Sequence, residues 1–335
     1  MIEALVLTGF LGSGKTTLLG HLLLQPEFSR TAVIINEFGE IGLDHHLVEA
    51  SEESVIELQT GCLCCKIRND LATTLHGLLR RRDEGSIAPF TRVVIETSGL
   101  ADPAPILQTL MTDSMIAGRI VLGGVVTTVD AVNGIDTLNR DEISVKQVAL
   151  ADRLVLTKTD LADPMQLSLV RRLTALNSTA PVLSARQGQI DPGCLLYNRP
   201  YDPLAKSLDI QAWLRAETIS PGHSHQRHDV DAYAIVRLDP LRAVTLMLFL
   251  ETLCEHCGAG VLRLKGIVNI LESPDRPAVI HGVQHVFHPP SWLAGWPSDD
   301  RRSRIVFITR GVPRAWVNAL LEALDAEVAL VSAQR

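Results

Sequence analysis

Nine residues near the amino terminus carry the most specific chemical signal in this chain. Gly9-Phe10-Leu11-Gly12-Ser13-Gly14-Lys15-Thr16-Thr17 follows an apolar run and opens a helical pattern, the context in which a glycine-rich loop cradles phosphates. Gly9, Gly12 and Gly14 let backbone N–H groups converge at a helix N-terminus, with Ser13 and Thr17 in the same cradle. Lys15 supplies a point charge for β- and γ-phosphates, and the Thr16 hydroxyl suits Mg2+. A second segment, Val93 to Gly99, is an apolar strand ending in Glu96, with Gly99 three residues on. Glu96 is expected to act on Mg2+ or its water shell and the Gly99 N–H to meet the γ-phosphate. The catalytic expectation is therefore Lys15, Thr16 and Glu96.

A third segment, Leu154-Val155-Leu156, runs into Thr157-Lys158-Thr159-Asp160. A carboxylate at Asp160 can accept hydrogen bonds from N1–H and the exocyclic amine of guanine, donors that adenine does not supply in that arrangement, while the Lys158 stem can lie against the base. GTP is the expected nucleotide. Thr157 stands where this motif usually has Asn, and Ser184-Ala185 occupies the place of a loop that contacts the guanine carbonyl.

Gly61-Cys62-Leu63-Cys64-Cys65 presents three thiols within four residues, a set that suits a borderline or soft divalent cation such as Zn2+, and Glu37 and Glu40 can complete the shell. The competing reading, small buried hydrophobes, does not explain the clustering. Other candidates are weaker. His223, His225 and His228 fall in a polar, solvated stretch. Cys257 continues the Leu246, Leu250, Leu253 helical spacing, so core packing is favoured over a metal site with Cys254 and His256. His281, His285 and His288 suit structural hydrogen bonding.

The elements that must position these groups follow from periodicity. From residue 2 to about 184, β-branched runs alternate with helical patterns, which predicts an α/β P-loop NTPase domain: a mostly parallel sheet with helices on both faces. Strands are expected at Ile2–Leu7, Thr31–Ile35, Ser54–Leu58, Arg92–Ile95, Gly123–Val129, Arg153–Leu156 and Pro181–Leu183, with helices such as Lys15–Leu24 and Ile67–Arg82. On this reading the loops at 9–14, 36–40, 61–65 and 96–99 all leave the C-terminal ends of parallel strands and share one edge. Later the pattern changes. Strands at Ala232–Leu238, Val261–Ile270, Ala278–Gly282 and Arg304–Thr309, with helices at Leu241–Cys257 and Pro313–Leu324, predict a smaller α+β domain with an antiparallel sheet. The boundaries read as residues 1–205 for the P-loop domain, 206–230 for a linker holding the short histidine cluster, and 231–331 for the C-terminal domain.

With 335 residues, 46% hydrophobic and 21% charged, the chain has the balance of a globular protein of about two domains, which excludes a disulfide-framework miniprotein. A net charge of −7 gives no general attraction to nucleic acid or to an anionic membrane. The apolar run Ala243–Leu250 is far short of the roughly 20 residues a membrane helix needs. Glu3 stands where an export signal would carry positive charge, so a cytoplasmic location is expected.

The sequence closely resembles the CobW family of P-loop GTPases, a metallochaperone group related to the UreG and HypB nickel-insertion GTPases. The resemblance spans nearly the whole chain and rests on GFLGSGKTT at 9–17, NEFGE at 36–40, GCLCC at 61–65, ETSGLADP at 96–103, ADRLVLTKTD at 151–160, and LRLKGI and GVQHVFHP in the C-terminal part. It implies Mg2+-dependent GTP hydrolysis tied to delivery of Zn2+ or Co2+ to a client metalloprotein, and a Thr at position 157 resembles one branch of the family. A homodimer is compatible with it. No arginine finger is identifiable, so unassisted hydrolysis is expected to be slow. Two alternatives remain. One is a metal buffer or sensor that holds nucleotide without productive turnover. The other is a P-loop small-molecule kinase, against which the guanine motif argues.

Overall fold

The computed structural model describes residues 1–36, 56–57, 63–67, 70–161, 167–196, 230–287 and 289–333, with residues 36, 56–57 and 63–67 described by their backbone. The chain divides into two compact units, residues 1–172 with 180–200, and residues 173–179 with 201–335. The expected linker at 206–230 falls almost wholly outside the described residues.

The first unit follows the order β1 (Ile2–Gly9), α1 (Lys15–Leu23), β2 (Thr31–Asn36), β3 (Ile56–Glu57), β4 (Leu63–Ile67), α2 (Leu71–Asp83), β5 (Arg92–Thr97), α3 (Ala104–Thr112), α4 (Ser114–Ala117), β6 (Ile120–Asp130), α5 (Gly134–Arg140), α6 (Glu142–Leu150), β7 (Arg153–Thr157), α7 (Leu167–Leu176) and β8 (Val182–Ser184). The strands form one sheet in the order β3-β4-β2-β5-β1-β6-β7-β8, parallel throughout except for β3. Central strands covered on both faces must be apolar along their length. β1 and β5 meet that demand: Ala4–Leu7 and Val93–Ile95 are fully or almost fully buried. On one face Leu18, Leu19 and Leu22 of α1 pack with Leu5, Leu7, Val33 and Val94. The α/β fold expected from periodicity is the one observed.

One stretch departs from expectation. Of the strand expected at Ser54–Leu58, the described residues Ile56–Glu57 pair antiparallel with β4, not parallel to a neighbour. Nor does a helix begin at Ile67. Leu63–Ile67 is itself a strand, parallel to β2, and α2 starts at Leu71, where the Asp70 carboxylate accepts hydrogen bonds from the Ala72 and Thr73 N–H groups. The physical reason is that Leu-Cys-Cys-Lys-Ile is compatible with a strand, and pairing it to β2 occupies backbone groups that β2 would otherwise leave open. Cys64 and Cys65 therefore lie opposite Val33 and Ile34 within the sheet, rather than on a loop at its C-terminal edge.

The second unit contains β9 (Val230–Arg237), α8 (Ala243–Cys257), β10 (Val261–Ile270), β11 (Ser273–Val283), β12 (Val286–Phe287), β13 (Ser291–Trp292), β14 (Ser303–Arg310) and α9 (Arg314–Ala333). Its sheet runs β12-β11-β10-β14-β9, antiparallel, with β13 on β11. Tyr233 stacks on Phe307 at 5.4 Å and Phe249 meets the same ring edge-on at 6.4 Å, forming the aromatic centre of a core shared by α8, α9 and one sheet face. The predicted α+β character holds, and α9 continues nine residues past its expected end at Leu324.

Candidate nucleotide site

β1 ends at Gly9, and the chain turns through the glycine-rich loop into α1. Gly9 has φ 142°, and a Cβ there would overlap Thr128 of β6, so only glycine lets the loop leave the sheet this close to its neighbour. Lys15 is buried, with Nζ donating to Gly9 O at 2.9 Å and Phe10 O at 3.3 Å, which places its charge inside the loop that α1 closes.

Thr16 and Glu96, eighty residues apart, meet directly. The Thr16 hydroxyl donates to Glu96 Oε1 at 2.8 Å, and Glu96 is only 2% exposed. The register places Glu96 between Leu7 and Ile35, and Thr97 donates its hydroxyl to Thr8 Oγ1 at 2.8 Å, fixing the end of β5 to the strand that carries the loop. A hydroxyl and a carboxylate oxygen beside a phosphate cradle are the hard donors that Mg2+ prefers, so these residues fit that ion. Beyond β5, Gly99 lies against the glycine-rich loop: a Cβ there would stand 2.7 Å from Leu11 N and 2.8 Å from Leu11 Cα.

The guanine motif is bound to the same loop through its first residue. Thr157 donates its hydroxyl to Ser13 O at 2.7 Å, and Ser13 Oγ is 2.7 Å from Thr128 Oγ1. The hydroxyl thus buttresses the loop in a position where an Asn amide was expected. Lys158 adopts a left-handed conformation, φ 54°, and its Nζ donates to Asp130 Oδ2 at 2.7 Å. Thr159 donates its hydroxyl to Ala185 O at 3.2 Å, which joins the Asp160 loop to Ser184-Ala185. Asp160 itself is exposed at the end of β7.

Asp130 was not singled out by sequence. It ends β6 beside β1, and its carboxylate also accepts from the Val132 and Asn133 N–H groups and from Asn133 Nδ2. Burial pushes this carboxyl up, but the hydrogen bonds from Lys158, Asn133 and Val132 outweigh it and hold the group below its ordinary value. The readable signal was an aspartate closing an apolar strand with Asn133 three residues on. A cavity of about 240 Å3 lies between the front of the loop, the end of β6 and helices α5 and α6, with Asp130, Asn133, Gln147 and Lys158 in its wall.

Of the metal candidates, Cys62, Glu37 and Glu40 lie outside the described residues. Cys64 and Cys65 are placed by their backbone: Cys65 pairs with Ile34, which pairs with Ile95, the residue before Glu96. At the usual strand spacing the Cα atoms of Cys65 and Ile95 are about 10 Å apart. Elsewhere, Cys254 donates its thiol to His285 O at 2.7 Å, and Cys257 packs on the core, where burial pushes its thiol up. Among the described residues no group of three or more His, Cys, Asp or Glu is arranged to hold a metal. His288 and the linker histidines are not among them.

A strand, a glycine-rich loop and a helix, with a hydroxyl–carboxylate pair and a Lys-Thr-Asp motif at the same sheet edge, define a P-loop nucleotide-binding protein. Residues 3–184 match the model of the CobW/HypB/UreG nucleotide-binding domain, and residues 230–325 match that of the cobalamin synthesis protein cobW C-terminal domain. The zinc chaperone YjiA of Escherichia coli is 36% identical over 324 residues, covering 96% of this chain and 98% of that protein. The zinc chaperone CobW of a Sinorhizobium species is 29% identical over 361 residues, covering 96% and 97%. The crystal structure of Zn(II)-bound YjiA GTPase from E. coli superposes with a TM-score of 0.73 at 32% identity, over 96% of this chain and 98% of that one. The chain belongs to the CobW/HypB/UreG family of P-loop GTPases.

Proposed function

We propose that this GTPase is a metallochaperone that takes Zn2+, or Co2+ as second choice, on Cys62, Cys64 and Cys65 with help from Glu37 and Glu40. It delivers the metal to a client metalloprotein under control of its nucleotide state. The observation that supports this most directly is the strand register: the cysteine strand β4 is separated from the Glu96 strand β5 only by β2, the strand that leads into Glu37. Relatives named as zinc chaperones point the same way.

In this reading the Lys15 ammonium and the N–H groups of Gly9–Thr17 bind the phosphates, and Gly99 N–H meets the γ-phosphate. Lys158 lies along the base, Asp160 accepts its two N–H donors, and Ser184-Ala185 approaches its carbonyl. Thr16 and Glu96 would hold Mg2+, which when bound neutralises charge developing on the phosphates. Thr16 and Glu96 are already aligned by their mutual hydrogen bond. Residues 1–205 carry this chemistry, 206–230 link it, and 231–331 form a separate domain. No helix among the described residues is long and apolar enough to cross a membrane. A cytoplasmic protein without affinity for nucleic acid or membrane, with a second copy of itself as an allowed partner, completes the proposal.

The test is titration of Zn2+ and Co2+ into the apo, GDP and GTP-analogue forms of the native protein and of Cys64→Ala. Nucleotide should shift metal affinity about 5- to 150-fold, the range for 1–3 kcal/mol of coupling, and metal should shift GTP affinity by the same factor. Thiolate ligands should make binding weaken as pH falls. Unchanged metal affinity across the three states removes nucleotide-gated delivery. Loss of multiple-turnover phosphate release in the native protein would favour the buffer reading instead.

A further inference from the structure

Helix α6 reaches the γ-phosphate side of the site through two adjacent side chains that the reading above does not use. Gln147 is 1% exposed, and its Nε2 donates to Gly99 O at 3.2 Å and to Ala101 O at 3.1 Å. Lys146 Nζ is 3.3 Å from Asp102 Oδ2, and the other oxygen of Asp102 caps α3 by accepting from Ala104 N–H at 2.9 Å. The segment 99–102 is thus held at both ends from α6. The helix is itself fixed to the sheet, because Thr127 of β6 donates its hydroxyl to Gln147 O at 2.8 Å.

The orientation of the Gln147 amide follows from chemistry. Both partners are carbonyl oxygens, so the NH2 end must face them, since the reverse flip would set oxygen against oxygen. That leaves Oε1 as a buried acceptor with no partner among the described residues, on a residue lining the 240 Å3 cavity in front of the glycine-rich loop. A buried amide normally has both ends satisfied. Here the donor end is committed to the backbone of one loop at the expense of the other end, which marks the loop's position as the thing the side chain secures. The loop's other contact is as tight: Gly99 touches Leu11 so closely that a Cβ would not fit.

We propose that Gln147 is a positioning residue for GTP turnover: it holds the 99–102 loop against the phosphate loop at the place where Gly99 N–H meets the γ-phosphate, with Lys146 bracing the far end through Asp102. The proposal rests on Gly99 as the γ-phosphate contact. GDP has no γ-phosphate, so the brace acts on GTP binding and turnover and leaves GDP affinity alone.

Gln147→Leu keeps the volume and removes both donors. Two lost hydrogen bonds of ordinary strength correspond to about a tenfold effect. The expected result is a fall of about tenfold in kcat and in the GTP-analogue to GDP affinity ratio, with GDP affinity within about twofold of native, the twofold margin being about 0.4 kcal/mol. Gln147→Glu, isosteric but without the donors, should lose at least as much. Lys146→Ala should show the same pattern at about two- to fivefold, the loss of one partly buried charged contact, and Lys146→Arg should restore it. A merely structural role would lower thermal stability and the affinities for both nucleotides together. A folded Gln147→Leu with native kcat and native nucleotide preference overturns the proposal. If neither Gln147 variant folds, Lys146→Ala with native turnover and preference overturns it as well. Failure of the underlying reading looks different: the Gly99 amide resonance of the native protein would then be the same in the GDP and GTP-analogue forms. A Gly99 amide that responds to the γ-phosphate beside a normal Gln147→Leu therefore rejects the positioning role alone.

Discussion

The two sheets of this molecule use polar residues in opposite ways. In the parallel sheet, strands β1, β5, β6 and β7 all end on one edge, and the last or next-to-last residues of those strands are Gly9, Glu96, Asp130 and Thr157. Groups far apart in sequence thereby meet: the Thr16 hydroxyl with Glu96, the Thr157 hydroxyl with the Ser13 backbone carbonyl, and Lys158 with Asp130. In the antiparallel sheet successive strands end on opposite edges, so no edge collects them, and polar groups serve as clamps. Asp325 of α9 accepts from Arg237 of β9 at 2.7 Å and from Thr245 of α8 at 3.3 Å, joining three elements around an aromatic core. Parallel topology concentrates chemistry, and antiparallel topology here serves cohesion.

The largest expected effect tests the cohesive half of this contrast. Phe307 is fully buried between Tyr233 and Phe249. Truncating such a ring costs about 3–5 kcal/mol, so Phe307→Ala should lower the denaturation midpoint of the second unit sharply while GTP affinity at the first stays unchanged. A comparable loss of GTP affinity would show that the antiparallel unit is not confined to a packing role.

The next effect belongs to the parallel edge. Asp160→Ala removes a charged acceptor for two guanine donors, a loss of about 1.5–3 kcal/mol. GTP affinity should fall at least tenfold, with ATP affinity little changed. Equal binding of ATP and GTP by the native protein would remove Asp160 from its assigned place.

The same contrast explains what could be read in advance. The glycine-rich loop, Glu96 and Lys158-Thr159-Asp160 were legible because each is local, with spacing that carries its own geometry. The stretch Val261–Ile270 gave β10 to the residue, since its Val, Leu and Ile residues favour a strand and every position in it, Arg263, Lys265 and Asn269 included, is buried. Strand β4 was not legible: the cysteines suggested a metal loop, while its strand pairing depends on the open side of β2. The end of α9 was placed too early because Asp325 breaks the apolar spacing, and its partner Arg237 is distant in sequence. Asp130 and Gln147 were missed for the same reason. Each acts through a contact that exists only after the sheet has assembled.

The smallest effect is the sharpest probe of how the edge is held together. Thr157 is buried, its hydroxyl is 2.7 Å from Ser13 O and 3.3 Å from Val129 O, and its Cβ and methyl lie 3.4 Å from where a Cβ on Gly14 would stand. Thr157→Val keeps that shape and deletes only the hydroxyl, leaving Ser13 O without this donor, at a cost of about 0.5–1.5 kcal/mol. Because the lost bond supports the loop under the phosphates and touches no base, affinity for GTP and GDP should fall together, about two- to tenfold, with guanine preference intact. Asp160→Ala should show the reverse pattern, losing preference first. Thr157→Asn then separates shape from hydrogen bonding, because its amide can donate to Ser13 O but is bulkier beside Gly14. Recovery of native affinity in Thr157→Asn would mean that a donor at this strand end is the only requirement. A defect equal to that of Thr157→Val would mean that the close fit over Gly14 selects threonine. Native affinities in Thr157→Val would mean that the contact of Ser13 with Thr128 of β6, together with the Thr16–Glu96 contact on β5, supports the phosphate loop without help from β7.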